Sequence, residues 1–553
     1  MSNTEDENVS RRDFLGFASG LVSLAGLSSL GADANFKQNI IKVDTKKMKS
    51  EDISTDILVI GSGMAGLFAA VKAHDAGAKV MMVSKGRLGS SGLTPFAKGI
   101  FSYDEKKEKL SIDEYVAKVS RSALGTNNEV YTRQLAQHSK ARVEELKEWG
   151  FFDSAIYNKS FSKPMNDKKI PLVERVMITN LLKIDGKVAG AVGFSLDNEK
   201  IITIRAKSVI ICTGSGAFKP NGFPICDLTH DGSIMAYNIG AKITGKEWND
   251  GHPASMKNSA DSYGNWHDMF EQKPSTTKVE VHHDLGVDLN YMAYATGNSI
   301  KMGPPGISNS SVQGGPYVPK EFARNGGPPQ GGDGERRGPP PGKDGEKRGP
   351  QQSGEGGKPP GMSSSPVGGS SAGMSIHKSE GLTPINDKCE STIKGLYAAG
   401  DALGSHMSGG IYTQIGSSLS GSAVQGAIAG EESAKFCKTI EMPIVSKEQI
   451  AKIKEDILAP LKRKAGYSPA WITHTLQGIV IPNFVLYIKK ERMLKAALAY
   501  VEELKESHLP HIKASDMHEL RLAHETINMV ISAEMKLKAS LMRKESRCSH
   551  YRL

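Results

Sequence analysis

The stretch from Thr55 to Ser84, TDILVIGSGMAGLFAAVKAHDAGAKVMMVS, constrains this chain more than any other. Ile57-Leu58-Val59-Ile60 is an apolar run long enough for one buried parallel strand. Gly61-Ser62-Gly63-Met64-Ala65-Gly66 follows, then an alanine-rich helical run to about Ala76. Gly77 stops that helix, and Lys79 to Val83 reads as a second buried strand. A GxGxxG turn between a strand and a helix, inside a βαβ unit, is the dinucleotide fingerprint in its required context. Gly61 permits the tight turn, Gly63 leaves room for a pyrophosphate against the backbone, and Gly66 lets helix and strand pack closely. The helix N-terminus, with Met64 and Ala65, presents N–H groups and a partial positive charge to the phosphates. The acid that usually ends the second strand is replaced by Ser84 and Lys85. That substitution counts against NAD and leaves room for FAD held by other contacts.

At 553 residues the chain is long enough for two or three domains. Its net charge of +10 is spread along the sequence, and no motif points to nucleic acid. Residues 1–34 read as a targeting segment: Ser10-Arg11-Arg12-Asp13-Phe14-Leu15-Gly16 is a twin-arginine pattern, followed by a weakly apolar run and Ala32-Asp33-Ala34. The expected partner of that segment is the twin-arginine export machinery, and the expected location is periplasmic or extracytoplasmic. The alternative is an uncleaved apolar anchor. The five cysteines form no CxxC or CxxCH, so no iron–sulfur cluster, c-type haem or metal site is expected on this chain. Electrons must then pass to or from another molecule.

Residues 35–52 read as a lysine-rich linker. After the nucleotide unit, the loop Arg87 to Phe101 is rich in small residues, with Ser90, Ser91, Gly92 and Gly99 placed to let backbone approach a flat ring. Ser111 and Glu114 form a capping box, and a helix is expected from about Glu129 to Trp149. Residues 173–212 alternate and turn like an antiparallel meander that ends in Ile211-Cys212-Thr213-Gly214, beside the cofactor. A helix is expected from Asp231, and residues 303–373 are low-complexity Gly/Pro sequence that cannot bury a core. Leu396 to Ala399 is a short strand ending at Asp401, whose carboxylate suits ribose or ribitol hydroxyls. Gly416-Ser417-Ser418-Leu419 opens a small-residue helix whose positive end suits the flavin pyrimidine edge. Residues 446–553 read as helical, with an apolar stripe through Leu520, Ala523, Ile527, Val530, Ile531 and Met535.

Together these motifs resemble the flavoprotein family of succinate dehydrogenase and fumarate reductase, L-aspartate oxidase and the adenylylsulfate reductase alpha subunit. The resemblance rests on GSGMAG, the SSG…AKGI loop, ICTG, Asp231-Gly232, Glu247 through His252-Pro253, LYAAGD, GSSL and the C-terminal Arg543-Lys544-Glu545-Ser546-Arg547 with His550 and Arg552. It implies an α/β fold: a Rossmann-like FAD-binding domain split by an α+β capping (substrate) domain, with a C-terminal helical domain. The implied segments are 53–253 and 374–440 for the FAD domain, 254–302 for the capping domain, 303–373 for the insert and 441–553 for the helical domain. The loop from Ser90 to Gly99 contains no histidine, so the implied FAD is non-covalent. The family's substrate-clamping arginine is absent before GSSL, where Thr413 and Gln414 stand. His252, His406 and Tyr412 are the candidate catalytic residues.

The resulting expectation is an exported FAD-dependent oxidoreductase that reduces a small organic acceptor by hydride transfer from flavin N5. A donor or acceptor protein would exchange electrons with it. Two other readings stay open: an electron-transfer subunit that works only with an iron–sulfur partner, and a binding protein without chemistry.

Overall fold

The computed structural model describes residues 43–219, 225–249, 272–281, 378–481, 485–486 and 488–553. The targeting segment, the Gly/Pro-rich insert, His252 and most of the 254–302 segment lie outside them. The apolar run Ile57–Ile60 is the buried end of a longer strand, β1 (Lys49–Ile60). β1 therefore begins inside the segment expected to be linker. Its first half is polar and mostly exposed, so it shows no apolar run; its register with a neighbouring strand defines it instead. The glycine turn leads into α1 (Met64–Asp75) and then β2 (Val80–Val83), parallel to β1.

β3 (Gly99–Phe101) follows the small-residue loop. After a single helical turn at Glu105–Glu108 come three longer helices: α2 (Ile112–Ser122), with the complete Ser111–Glu114 capping box, α3 (Glu129–Glu148) and α4 (Asn158–Asp167). The chain then forms β4 (Leu172–Val173), β5 (Val176–Ile184), β6 (Lys187–Ser195) and β7 (Lys200–Ile211). β5, β6 and β7 are the expected antiparallel meander. α5 (Asp231–Asn238) and the short strands β8 (Ile243–Thr244), β9 (Ser275–Thr277) and β10 (Gly381–Leu382) precede β11 (Leu396–Ala398).

The main sheet has the order β4-β2-β1-β7-β6-β5, with β11 also on β7. One edge of β7 is shared: β6 covers Ile201 to Arg205, and β11 runs parallel to Val209–Ile211. The return segment thus rejoins the sheet at the carboxyl end of β1, where parallel α/β sheets bind ligands. α6 (Ser417–Cys437) packs on α1. α7 (Lys447–Lys462), α8 (Pro469–Val480), α9 (Glu491–Glu503) and α10 (Met517–Met542) form the helical part, which closes with a two-stranded pair, β12 (Ile488–Lys489) and β13 (Tyr551–Arg552).

Two approaches are tight enough to exclude any side chain. Gly61 has φ +112, and a Cβ on Gly66 would lie 1.9 Å from the Gly61 carbonyl oxygen. A Cβ on Gly426 would lie 2.3 Å from Ala65 O, and one on Gly430 2.5 Å from Ala69 O. Replacing Gly66 by Ala is therefore expected to lower the melting temperature and the flavin content together. Gly478 in α8 is exposed with open space at its Cβ. Gly478→Ala should raise stability by about 0.5–1 kcal/mol. Thermal melts of the two variants check both.

Candidate functional site

The fingerprint turn ends in a helix that its own chain leaves uncapped. Gly63 is the N-cap of α1, with no side-chain cap and no acid in the first turn, although Met64, Ala65 and Gly66 are buried. Met64 N–H donates to Thr94 Oγ1 at 3.2 Å. A buried helix N-terminus needs a partner for its remaining N–H groups, and a pyrophosphate is the partner such a turn accepts. Ser62 and Ser84 share a hydroxyl–hydroxyl hydrogen bond of 2.6 Å.

α6 repeats the arrangement. Its N-cap is Gly416 in the left-handed region, again without a side-chain cap or a first-turn acid, and Ser417 and Leu419 are buried. Both contacts between α1 and α6 advance by four residues, Ala65 with Gly426 and Ala69 with Gly430, so the helices run parallel. The α6 N-terminus then projects beyond that of α1 by about 12 Å along the axis, at 1.5 Å per residue. Asp401 lies in this interval. It accepts from Lys378 Nζ at 2.7 Å and Ser418 Oγ at 3.3 Å, and Lys378 also reaches Ser422 Oγ at 3.0 Å. Burial pushes Lys378 below the ordinary lysine range, against the pull of Asp401. The two helix ends and the polar groups between them fit FAD: anion donors at one end, a ribitol-length polar stretch, and a second positive end for the pyrimidine edge.

The opposite wall is built from three distant segments around Trp248, which is buried. Trp248 Nε1–H donates to His406 Nε2 at 3.3 Å, and His406 Nδ1 faces Gly404 O at 3.1 Å. The guanidinium of Arg543 lies 4.5 Å from the Trp248 ring centroid and pairs with Glu247 at 2.8 Å. A Cβ on Gly410 would strike the indole. Asn249 N–H donates to Ser549 Oγ, and Ser549 N–H donates to Gly410 O. The GKEWN segment, the SHMSGGIYT segment and the C-terminal ESRCSHYR segment thus close on one another.

Beneath them lies a dry ionic cluster. Glu380 takes Lys246 on one oxygen and Lys536 on the other, each at 2.5 Å, and His230 Nδ1 at 3.2 Å. Burial alone would push Glu380 up, but the two ammonium groups outweigh it and hold the carboxyl well below its usual range. Burial and then Lys246 push His230 down to about 4. Burial, with Lys536 close by, drives Lys489 well below the ordinary lysine range. His550 accepts from Lys489 Nζ at 2.9 Å; burial and that ammonium push it down to about 3.

The expected residues fall into distinct places. His406 is a half-buried imidazole with both nitrogens engaged, its pKa lowered by desolvation. Tyr412 accepts at its hydroxyl from Gly416 N–H at 3.2 Å, at the foot of α6. His252 lies outside the described residues. Lys85 pairs with Asp231 at 2.7 Å and Glu525 at 2.8 Å, and Asp231 also accepts from Thr229 and Asn528. These side chains tie the end of β2 to α5 and α10. Ser90 and Ser91 turn back on Leu88 O and Arg87 O, and Gly92 N–H donates to Asp227. Gly99 opens β3, while Thr213 and Gly214 follow β7. Lys246, Lys378, Glu380, Lys489, Glu525 and Lys536 escaped the sequence reading. The buried face of α10 carries Glu525, Ser532 and Lys536 between Met529, Ala533 and Leu537, beside the expected stripe. A charged residue three or four positions from buried apolar ones was the available signal.

A family model described as FAD dependent oxidoreductase matches residues 56–220, and one described as fumarate reductase flavoprotein C-term matches residues 475–553. An uncharacterized FAD-dependent oxidoreductase of Methanocaldococcus jannaschii is 25% identical over 543 residues, spanning 90% of this chain and 93% of its own. One subunit of the fumarate reductase (CoM/CoB) of Methanothermobacter marburgensis is 24% identical over 551 residues, spanning 91% and 95%. The Mycobacterium smegmatis Sdh1 complex in the apo form contains a chain of the same fold, with a TM-score of 0.67, 20% identity and coverage of 91% and 89%. The protein is an FAD-dependent oxidoreductase. Within that class it is similar to the fumarate reductase and succinate dehydrogenase flavoproteins and, over a shorter stretch, to L-aspartate oxidase, and it shares its fold with adenylylsulfate reductase.

The ionic cluster makes a pH prediction. His230 and His550 stay neutral when folded but protonate near 6.5 when unfolded. Below that pH the unfolded state binds more protons, so stability falls with falling pH. The slope is about 1.4 kcal/mol per pH unit per histidine between pH 6.5 and 4. Chemical denaturation across that window should show this loss, and H230Q should be shallower by one histidine's share.

Proposed function

We propose that this flavoprotein is exported and reduces a small, anionic, activated organic acceptor, with electrons supplied by a separate donor protein. The observation that carries the reading is the positive field behind Trp248. Two buried lysines, Lys246 and Lys536, share the single carboxylate Glu380. Such a field attracts an anion and stabilises negative charge that develops during reduction. When bound, FAD supplies hydride exchange at flavin N5.

The chain's own residues then have assignable tasks. The α1 N-terminus binds phosphate, Asp401 holds polyol hydroxyls, and the α6 N-terminus favours negative charge at the ring edge. His406 fixes the indole plane of Trp248, and Tyr412 braces the Gly416 turn. His252 is the proposed acceptor-side residue, and the 254–302 segment the capping domain. FAD is proposed to be non-covalent, because Ser90 to Gly99 offers no histidine, cysteine or tyrosine for a link.

A second reading is a component for electron transfer that works only in a complex, with an iron–sulfur protein as its partner. It is favoured by the Methanothermobacter relative, which is named as one subunit of its enzyme. Copurification of a redox partner separates the two.

The test uses the purified chain. Acid precipitation is expected to leave all flavin in the supernatant; flavin in the pellet contradicts the non-covalent assignment. Dithionite-reduced protein should be reoxidised by α,β-unsaturated carboxylates and not by neutral analogues. Reoxidation by none of them sinks the reductase reading. For export, Arg11→Lys with Arg12→Lys is expected to leave the protein unprocessed in the cytoplasm, read by fractionation; normal export of that variant refutes the route.

A further inference from the structure

The nucleotide edge lacks one group. In a dinucleotide fold a carboxylate at the end of the second strand accepts the ribose hydroxyls. Here Ser84 occupies that end, with its hydroxyl bonded to Ser62 at 2.6 Å, and the Lys85 ammonium is consumed by Asp231 and Glu525. The neighbouring strand supplies what β2 does not. β4 runs parallel to β2 in the register Met82↔Leu172 and Val83↔Val173. Ser84 N–H donates to Val173 O at 2.9 Å, so Glu174 follows β4 at the level where Ser84 follows β2.

The local backbone fixes it there. Arg175 has φ +59, a left-handed conformation that costs a non-glycine residue free energy. This bend sends the chain from β4 away to β5, while Val176 N–H returns to Ser84 O at 3.0 Å. Glu174 is left at the corner, half-buried. One carboxylate oxygen, Oε1, accepts Leu88 N–H at 2.7 Å and so fixes the loop after β2. Oε2 takes no hydrogen bond from a described residue. The carboxylate is positioned on one oxygen and open on the other, at the carboxyl edge of the sheet, with β2 between its strand and the β1–α1 turn.

We propose that Glu174 is the carboxylate that accepts hydrogen bonds from the vicinal ribose hydroxyls of the adenosine half of FAD. The proposal rests on FAD occupying the β1–α1 turn. Glu174→Gln tests it, because the glutamine oxygen still accepts from Leu88 N–H while the second acceptor is lost. Apoprotein of the full chain is titrated with FAD and with FMN, which lacks the adenosine, and binding is read by flavin fluorescence. The expected result is an FAD Kd at least about tenfold weaker in E174Q, an FMN Kd equal to wild type, and an unchanged apoprotein melting temperature. An FAD Kd equal to wild type overturns the assignment, as does an equal loss for both flavins, which would make Glu174 a loop anchor only. A wild-type chain that takes up no FAD overturns the proposal together with the cofactor reading.

Discussion

The close parallel crossing of α1 and α6 sets the geometry on which the rest of the site depends. Glycines at 426 and 430 bring α6 onto the backbone of Ala65 and Ala69. At that distance the two helices cannot slide or rotate without collision, because interiors are packed to the density of crystals. The offset between their N-termini is therefore a fixed length, set by residue count. One positive end serves the fingerprint turn and the other the Gly416 turn. A ligand that spans both would carry an anionic group and a polarisable ring edge joined by a linker, a description that fits FAD. The sheet contributes the third constraint, since β11 is held against β7 only at Val209–Ile211, and Asp401 leaves its end into the interval.

The second constraint is electrostatic. A carboxylate and two ammonium groups in a dry interior each carry a desolvation cost of several kcal/mol. They persist because they satisfy one another and the backbone: Lys536 also donates to Lys246 O and Trp248 O, and Lys246 to Ser532. This network joins α10 to the β8 and β10 strands through charges that have only one good arrangement. Apolar contacts would allow sliding, whereas these ion pairs fix the register of the helical part against the return segment. Burial is the main cause that lowers His230, Lys489 and His550; Lys246 adds to it at His230, Lys536 at Lys489 and Lys489 at His550. One cluster thus serves both stability and the proposed attraction of an anionic acceptor.

Much of the fold was legible because it is local. The fingerprint unit, the capping box at Ser111 and the meander each follow from residues within a short window. The first half of β1 was not, because Lys49 to Ser54 is strand only through pairing with Lys200 to Arg205. On α10 the stripe through Leu520, Ala523 and Val530 is buried as expected, but the burial of Glu525 and Lys536 beside it was not legible, for a related reason. A buried lysine or glutamate reads as solvated until its partner is known, and the partners of Glu525 and Lys536 lie at Lys85 and Glu380, far away in sequence. At the site, the glycines and Asp401 were readable from motif position. The roles of Lys85 and Asp231 as mutual partners were not, since a cofactor contact and an ion pair look alike in a sequence.

The contribution of residues 543–552 bears on the proposed export route. Arg543 covers the Trp248 ring, Ser549 joins Asn249 to Gly410, and His550 supports Lys489. Ser549 stands 300 residues beyond its partner Asn249 in the sequence, so this wall is completed by long-range contacts. The wall around Trp248 is thus a long-range product of folding. Topologies that depend on such distant contacts fold slowly. Under the proposed export route, such a chain gains from folding around its cofactor before transport. The twin-arginine pattern at Arg11-Arg12 suits that order, because the proposed route carries folded proteins.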